Sequence, residues 1–311
     1  GCCDGGDVSC VFQGLVAEAD GQVDGRDSAA PGHTEAPDGV AEVINVCAVG
    51  NLLAGQREGE ALVGVVEASD LAVAEAVQRE RPLVAVQHVN SETGNRQDLA
   101  AIADIVGEAG GILLADCAQS AGKLPLPDAD MIAISAHKIH GPKGVGALWL
   151  RDGVRPAPLL HGGGQEAGLR SGTLSPALCA GFGVAARLMR ERADADRTHV
   201  ESLASLVRTL LPDWSLNGSA THRYPGNLNL RRDGIDGARL LSYCRNVAFS
   251  LGSACASGSG RPSHVLRALG LTDAQARGSV RIGFGRYTTP DEVERAARAL
   301  NEAAAAQAAL R

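Results

Sequence analysis

Aromatic side chains are scarce: four Phe, three Tyr and two Trp make up 3% of 311 residues. The core must therefore be built from Ala, Val, Leu and Ile. No run of about 18 apolar residues occurs, so no membrane-spanning helix is expected. The N-terminus lacks the basic-then-apolar order of an export signal, so no secretory leader is expected. The eight Cys include no C-x-x-C pair, which excludes zinc-ribbon and thioredoxin-type spacings, and no metal site is expected. Without an export signal, reduced thiols and a cytoplasmic location are expected. Lysine is equally sparse: Lys123, Lys138 and Lys143 are the only three, all other basic residues being Arg. Any chemistry that needs an amine has three candidates.

What is present is ordinary globular material, 45% apolar and 21% charged, enough for one large domain or two. The net charge of −7 argues against a nucleic-acid binder with a broad basic surface. That charge is unevenly placed. Residues 1–60 hold 11 acidic residues and two Arg, a balance of −9, whereas the remainder carries +2. Residues 1–65 show little hydrophobic period beyond short pieces such as Val40 to Val49, and are read as an irregular segment.

From about residue 70 the texture changes. A helix is expected over 70–79, and another over 97–109, stopped by Gly110-Gly111. Apolar strands are expected at Leu83 to His88, Ile112 to Asp116, Met131 to Ser135 and Val145 to Leu150. Apolar strands alternating with helices imply an α/β fold with a mainly parallel sheet covered on both faces. Ligands of such sheets gather at the carboxyl ends of the strands, where Asp116 and Ser135 fall. A glycine-rich loop follows over 162–172, then two helices, 175–192 and 196–211. The expected division is an atypical, poorly ordered segment at 1–65, a large domain at 66–214 and a smaller α/β domain at 215–311. The last helix has a legible start: Thr289-Pro290-Asp291-Glu292 combines an N-cap, a Pro at the first turn and a capping-box Glu.

The chemistry concentrates in Ser135-Ala136-His137-Lys138-Ile139-His140-Gly141-Pro142-Lys143-Gly144. A lone lysine in a loop is usually a solvated surface residue. A lysine between a buried strand and a Gly/Pro turn can instead be a Schiff-base amine, partly desolvated so that it loses its proton near neutral pH. Asp116, ending another apolar strand, is a carboxylate in need of a partner. A pyridinium nitrogen is one such partner.

Several motifs, in order, resemble the cysteine desulfurases, NifS/IscS-like members of the class V aminotransferase superfamily. These are His88-Val89-Asn90-Ser91-Glu92-Thr93-Gly94, Asp116 to Lys123 (DCAQSAGK), Ser135 to Gly146, His161 to Glu166 (HGGGQE) and Arg170-Ser171-Gly172-Thr173. The resemblance continues through Ser250 to Ser257 (SLGSACAS), Pro262 to Gly270 (PSHVLRALG) and Ser279 to Thr289 (SVRIGFGRYTT), and covers about residues 70–300. It implies the fold-type I arrangement of pyridoxal 5'-phosphate (PLP) enzymes. It also implies roles. Lys138 would carry PLP covalently and move the substrate's α-proton. Asp116 would pair with the pyridine nitrogen, Gln119 with the phenolate oxygen, and Asn90 would lie beside the ring. Ser135 and His137 would hold the phosphate, and Thr173 would reach the phosphate of a neighbouring subunit in a homodimer. Arg281 would clamp the substrate carboxylate. Cys255, among small and flexible neighbours, would take the sulfur of L-cysteine as a persulfide, releasing L-alanine. It would then pass the sulfur to an acceptor or iron–sulfur scaffold protein. The other Cys are read as packing residues, and His88 as a structural residue.

Two motifs of the group are not found here: the Gly-Ala-Thr-Glu-type phosphate loop and the Thr-Glu-His motif whose His stacks on the ring. Residues 1–65 are accordingly expected not to correspond to the group's N-terminal region. Two other readings stand beside the desulfurase: another class V PLP lyase or aminotransferase, such as a selenocysteine lyase, and an inactive scaffold.

Overall fold

The computed structural model describes residues 43–45, 82–158, 160–252 and 262–310. The helix expected over 70–79, and Cys255, lie outside them.

The described residues form two sheets, each with its own core. The first has the spatial order β1 (Val43–Asn45), β2 (Leu83–Gln87), β3 (Ile112–Asp116), β4 (Met131–Ser135), β5 (Gly146–Leu150). The pairings β1–β2, β2–β3 and β3–β4 are parallel, and β4–β5 is antiparallel. β2 and β3 are apolar runs whose Val84, Val86, Leu113 and Ala115 are buried on one face, the alternate residues Leu83, Ala85, Ile112 and Leu114 being half-buried. A parallel pair needs a crossover, and α1 (Leu99–Glu108) supplies it between β2 and β3. The Asp98 side chain caps α1 by accepting from Ala101 N, and Leu99, Ile102 and Val106 form its buried stripe. Gly110, at φ +63°, terminates it in the left-handed region.

Two expectations need correction. Val43–Asn45 is a strand paired with β2, inside the segment read as irregular. Three residues are too few for a period to register, and the strand is defined by its partner. The two helices expected at 175–192 and 196–211 are one, α2 (Pro176–Leu210, 35 residues). The polar stretch around Ala193-Asp194-Ala195 reads as a break, but it contains neither Gly nor Pro, so nothing interrupts the backbone bonds.

This long helix spans both cores. Phe182, Ala185 and Met189 pack on the first sheet. Val200, Leu203, Ala204 and Val207 pack on the second. The second sheet is antiparallel, ordered β6 (Ser215–Leu216), β7 (Asn227–Arg231), β8 (Ser279–Gly283). It is accompanied by α3 (Gly237–Tyr243), α4 (His264–Ala268), α5 (Asp273–Arg277) and α6 (Pro290–Ala308). The start of α6 is as the sequence implies: Thr289 and Glu292 form a reciprocal capping box, with Pro290 in the first turn. A buried ion pair, Arg286 to Asp196 at 2.5 to 3.0 Å, ties the chain after β8 to α2.

Candidate active site

The register of the first sheet brings its chemistry to one edge. Gln87 is opposite Asp116, and Asp116 opposite Ala133. Asn90, three residues past Gln87, and Ser135, two past Ala133, therefore leave the sheet at the same carboxyl edge as Asp116. Immediately beyond Ser135 a single 3-10 turn, Ala136–Lys138, carries His137 and Lys138. The antiparallel return of β5 and the left-handed His140 (φ +65°) close the turn tightly. At Gly141 a Cβ would come within 2.9 Å of Ala136 O.

His137 and Lys138 are both exposed, and Lys138 has no carboxylate partner among the described residues. Ser135 flanks the turn without capping it through its side chain. Asp116 is exposed; one carboxylate oxygen accepts from Ala118 N at 2.9 Å, an Asx turn that aims the rest of the group outward. Gln119 follows on the same turn, half-buried. Asn90 is 3% exposed, and its Oδ1 accepts from Glu92 N and Thr93 N, both at 2.9 Å. Those two bonds fix the amide's orientation and direct its NH2 elsewhere.

Beneath the Asp116 turn lies a neutral support. His88 N donates to Asp116 O, and His88 Nδ1 lies 3.0 Å from Ser120 Oγ. Burial, aided by the Arg96 charge, lowers the His88 pKa to about 4. Cys117 is fully buried, and burial pushes its thiol up to about 11. This is the profile of a packing cysteine, not a nucleophile.

The second sheet closes the site from the other side. Arg281, on β8, donates from Nη1 to Ser91 O at 2.9 Å, next to Asn90. No carboxylate neutralises Arg281 among the described residues, so a half-buried guanidinium stands with its charge open. Its backbone pairs with Ser250, and Gly252 approaches the buried Glu92 carboxylate: a Cβ there would lie 3.1 Å from Oε1. Ser250 and Gly252 precede Cys255 by five and three residues. Thr173 is exposed, beyond the Leu160–Arg170 bridge; its expected partner is another subunit.

Several residues of this seam are absent from the sequence-based set. Asn227 Nδ2 donates to Ser91 O at 2.9 Å, and Asn229 Nδ2 to Glu92 O at 3.2 Å. Arg223 donates to Thr93 O, Asn227 O and Ser219 O. Lys123 donates to Gln119 O at 3.2 Å and lies 5.3 Å from the centre of the Tyr224 ring. Burial, then the Lys138 charge, lowers the Lys123 pKa to about 8. The alternation Asn227-Leu228-Asn229-Leu230 was the available signal: two amides at period two on a strand whose other face is core.

The family model for aminotransferase class-V matches residues 64–296, and the chain belongs to that family. The mitochondrial cysteine desulfurase of Saccharomyces cerevisiae is 45% identical over 237 residues, 73% of this chain and 48% of that protein. Cysteine desulfurase IscS of Azotobacter vinelandii is 43% identical over 240 residues, 74% and 59% of the two chains. Among solved structures, a NifS-like protein superposes with a TM-score of 0.71 at 28% identity, covering 79% of this chain and 68% of its own. SspA in complex with cysteine gives 0.61 at 31% identity, covering 74% and 68%. The fold is thus that of the fold-type I PLP enzymes. The chain spans about half the length of the mitochondrial cysteine desulfurases it matches.

The residues present fit the family's cofactor by the chemistry of the donor set. A carboxylate, an amine, two amides, a hydroxyl and an imidazole are gathered at one sheet edge, as a pyridine ring, an aldehyde and a phosphate require. Among the described residues there is no group of His, Cys, Asp and Glu that could hold a metal ion, and no helix long and apolar enough to cross a membrane.

Proposed function

We propose that this chain is a PLP-dependent cysteine desulfurase, with the parts 1–65, 66–214 and 215–311 in the roles the motifs imply. One observation carries the reading. An Arg281 guanidinium with no carboxylate partner among the described residues bonds Ser91 O, next to Asn90, at the end of the sheet whose strand edge also carries Asp116 and Lys138. A cation suited to an α-carboxylate and an amine suited to an aldehyde both follow from that arrangement. The neighbour solved with cysteine supports the choice of substrate.

PLP, held by Lys138, would supply an electron sink for bonds at the substrate's α-carbon. The residues supply the rest. Arg281 fixes the carboxylate and so orients the Cα–H bond. Asp116 holds a proton on the ring nitrogen, Gln119 and Asn90 fix the ring's oxygen side, and Ser135 and His137 take the phosphate. The Lys138 amine would take the α-proton and return one later. The Cys255 thiolate attacks the substrate sulfur. The carbon–sulfur bond breaks, its electron pair stays on carbon and is protonated, and alanine leaves. Cys255 keeps the sulfur as a persulfide for an acceptor in iron–sulfur cluster or thio-cofactor assembly. A homodimer, with Thr173 on the partner's phosphate, and a cytoplasmic location with reduced thiols complete the proposal.

The test is production of alanine and sulfide from L-cysteine by the PLP-loaded chain, compared with Cys255→Ala. Loss of both products in the variant, with the cofactor still bound, is the expected result. Undiminished sulfide from Cys255→Ala would replace this reading with a lyase that releases sulfur directly.

A further inference from the structure

The Ser91 carbonyl accepts two donors from the second sheet. Arg281 Nη1 and Asn227 Nδ2 both lie 2.9 Å from it, so the two nitrogens are no farther apart than those two bonds laid end to end. Because the acceptor is a carbonyl, Asn227 must present its NH2 there, which settles the amide's orientation. The other end, Oδ1, is then an acceptor buried from solvent with no partner among the described residues. Asn229, two residues on, anchors the next carbonyl, Glu92 O. β7 and β8 run antiparallel with Asn229 opposite Arg281 and Asn227 opposite Gly283. One face of a two-stranded ladder thus delivers two amides and the guanidinium to one turn of backbone.

We infer that Asn227 is a positioning residue for Arg281, and through it for recognition of the substrate's α-carboxylate; this rests on the reading of Arg281 proposed above. Asn227 does so in two ways. Its NH2 helps to hold Ser91 O, the carbonyl that fixes one arm of the guanidinium. Its neutral amide shares the Ser91 carbonyl with Arg281, so a carboxylate in its place would put a negative charge close to the guanidinium. A carboxylate sharing the same carbonyl would compete with the substrate's anion for the half-buried guanidinium. An amide satisfies the backbone and leaves the charge open. Asn227 differs in this from Asp196, which pairs fully with Arg286: the same chain uses a carboxylate where an arginine is structural.

The test uses the full chain loaded with PLP, and titrates the bound cofactor's absorption with two probes. L-alanine carries the α-carboxylate; ethylamine is the same molecule without it. Asn227→Asp places a charge at the amide's position with little change of shape, and Asn227→Ala removes the Ser91 bond without adding charge. The expected result is that L-alanine binds at least tenfold more weakly to Asn227→Asp and a few-fold more weakly to Asn227→Ala. Ethylamine should bind all three proteins equally, with unchanged cofactor content. Equal weakening of both probes, or no change in L-alanine binding, overturns the inference. A wild-type chain that takes up no cofactor, or binds L-alanine no better than ethylamine, overturns the underlying reading of Arg281 instead.

Discussion

At Gly94 the two halves of the site approach closely, and replacing it with alanine tests that closeness. Its φ is +79°, and an added Cβ would lie 2.5 Å from Asn227 O, 3.0 Å from Arg223 Nη2 and 3.2 Å from Tyr224 O. The left-handed backbone alone costs a non-glycine residue about 1–2 kcal/mol. Two of the three contacts are backbone atoms, which cannot rotate away, and forced overpacking adds about 1–3 kcal/mol. Gly94→Ala should therefore lose about 2–5 kcal/mol, a large part of the stability of an ordinary domain. Gly110→Ala is the internal control. Its φ is +63°, but nothing lies within 4 Å of an added Cβ, so only the conformational cost of about 1–2 kcal/mol applies. Urea unfolding of both variants gives the comparison, and PLP affinity reports whether the Asn90 loop has moved. Equal losses for the two would mean that β7 does not press on this loop, and the two-sided site would be wrong.

Three further outcomes follow from the same geometry. Asp196→Ala leaves Arg286 buried without its partner, the side chains being 7% and 19% exposed. Chemical denaturation should show a loss of about 3 kcal/mol; a loss within 0.5 kcal/mol, the ordinary surface range, would show that the pair is solvated. His88 titrates at about 4 in the folded chain against 6.5 ordinarily. Between those values the unfolded chain binds the proton and the folded chain does not, so stability falls as pH drops from 6.5 towards 4, by about 3 kcal/mol at most. His88→Gln should flatten that part of the pH–stability curve, and an unchanged slope would place His88 in water. Cys117 should stay unmodified by iodoacetamide at pH 8 in the native chain, because burial raises its pKa to about 11; rapid labelling would contradict its burial.

Four strands of the first sheet, β2 to β5, were legible because each carries its own signal. Leu83–Gln87 and Ile112–Asp116 are short apolar runs bounded by polar or turn residues, and α1 announces itself by Asp98 and the stripe Leu99, Ile102, Val106. Asp116 and Ser135 end strands of the first sheet and Asn90, His137 and Lys138 follow strand ends, where sheet topology brings them to one edge. What escaped depends on distant partners. Val43–Asn45 is a strand only because β2 lies beside it. The continuity of α2 is settled by two cores that its two halves cover. Arg223, Asn227 and Asn229 act on carbonyls more than 120 residues away, a separation that no local pattern encodes. Lys123 resembles any turn lysine until Tyr224 covers it.

That lysine makes the decisive measurement discriminating. The account requires PLP to join Lys138, yet Lys123 is a nearby amine whose pKa of about 8 leaves part of it unprotonated at neutral pH. Borohydride reduction of the PLP-loaded chain, followed by peptide mass mapping, fixes the linkage permanently and locates it. The account predicts a yellow protein with one pyridoxyl group, on Lys138. A colourless protein, or a label on Lys123 or Lys143, would contradict it.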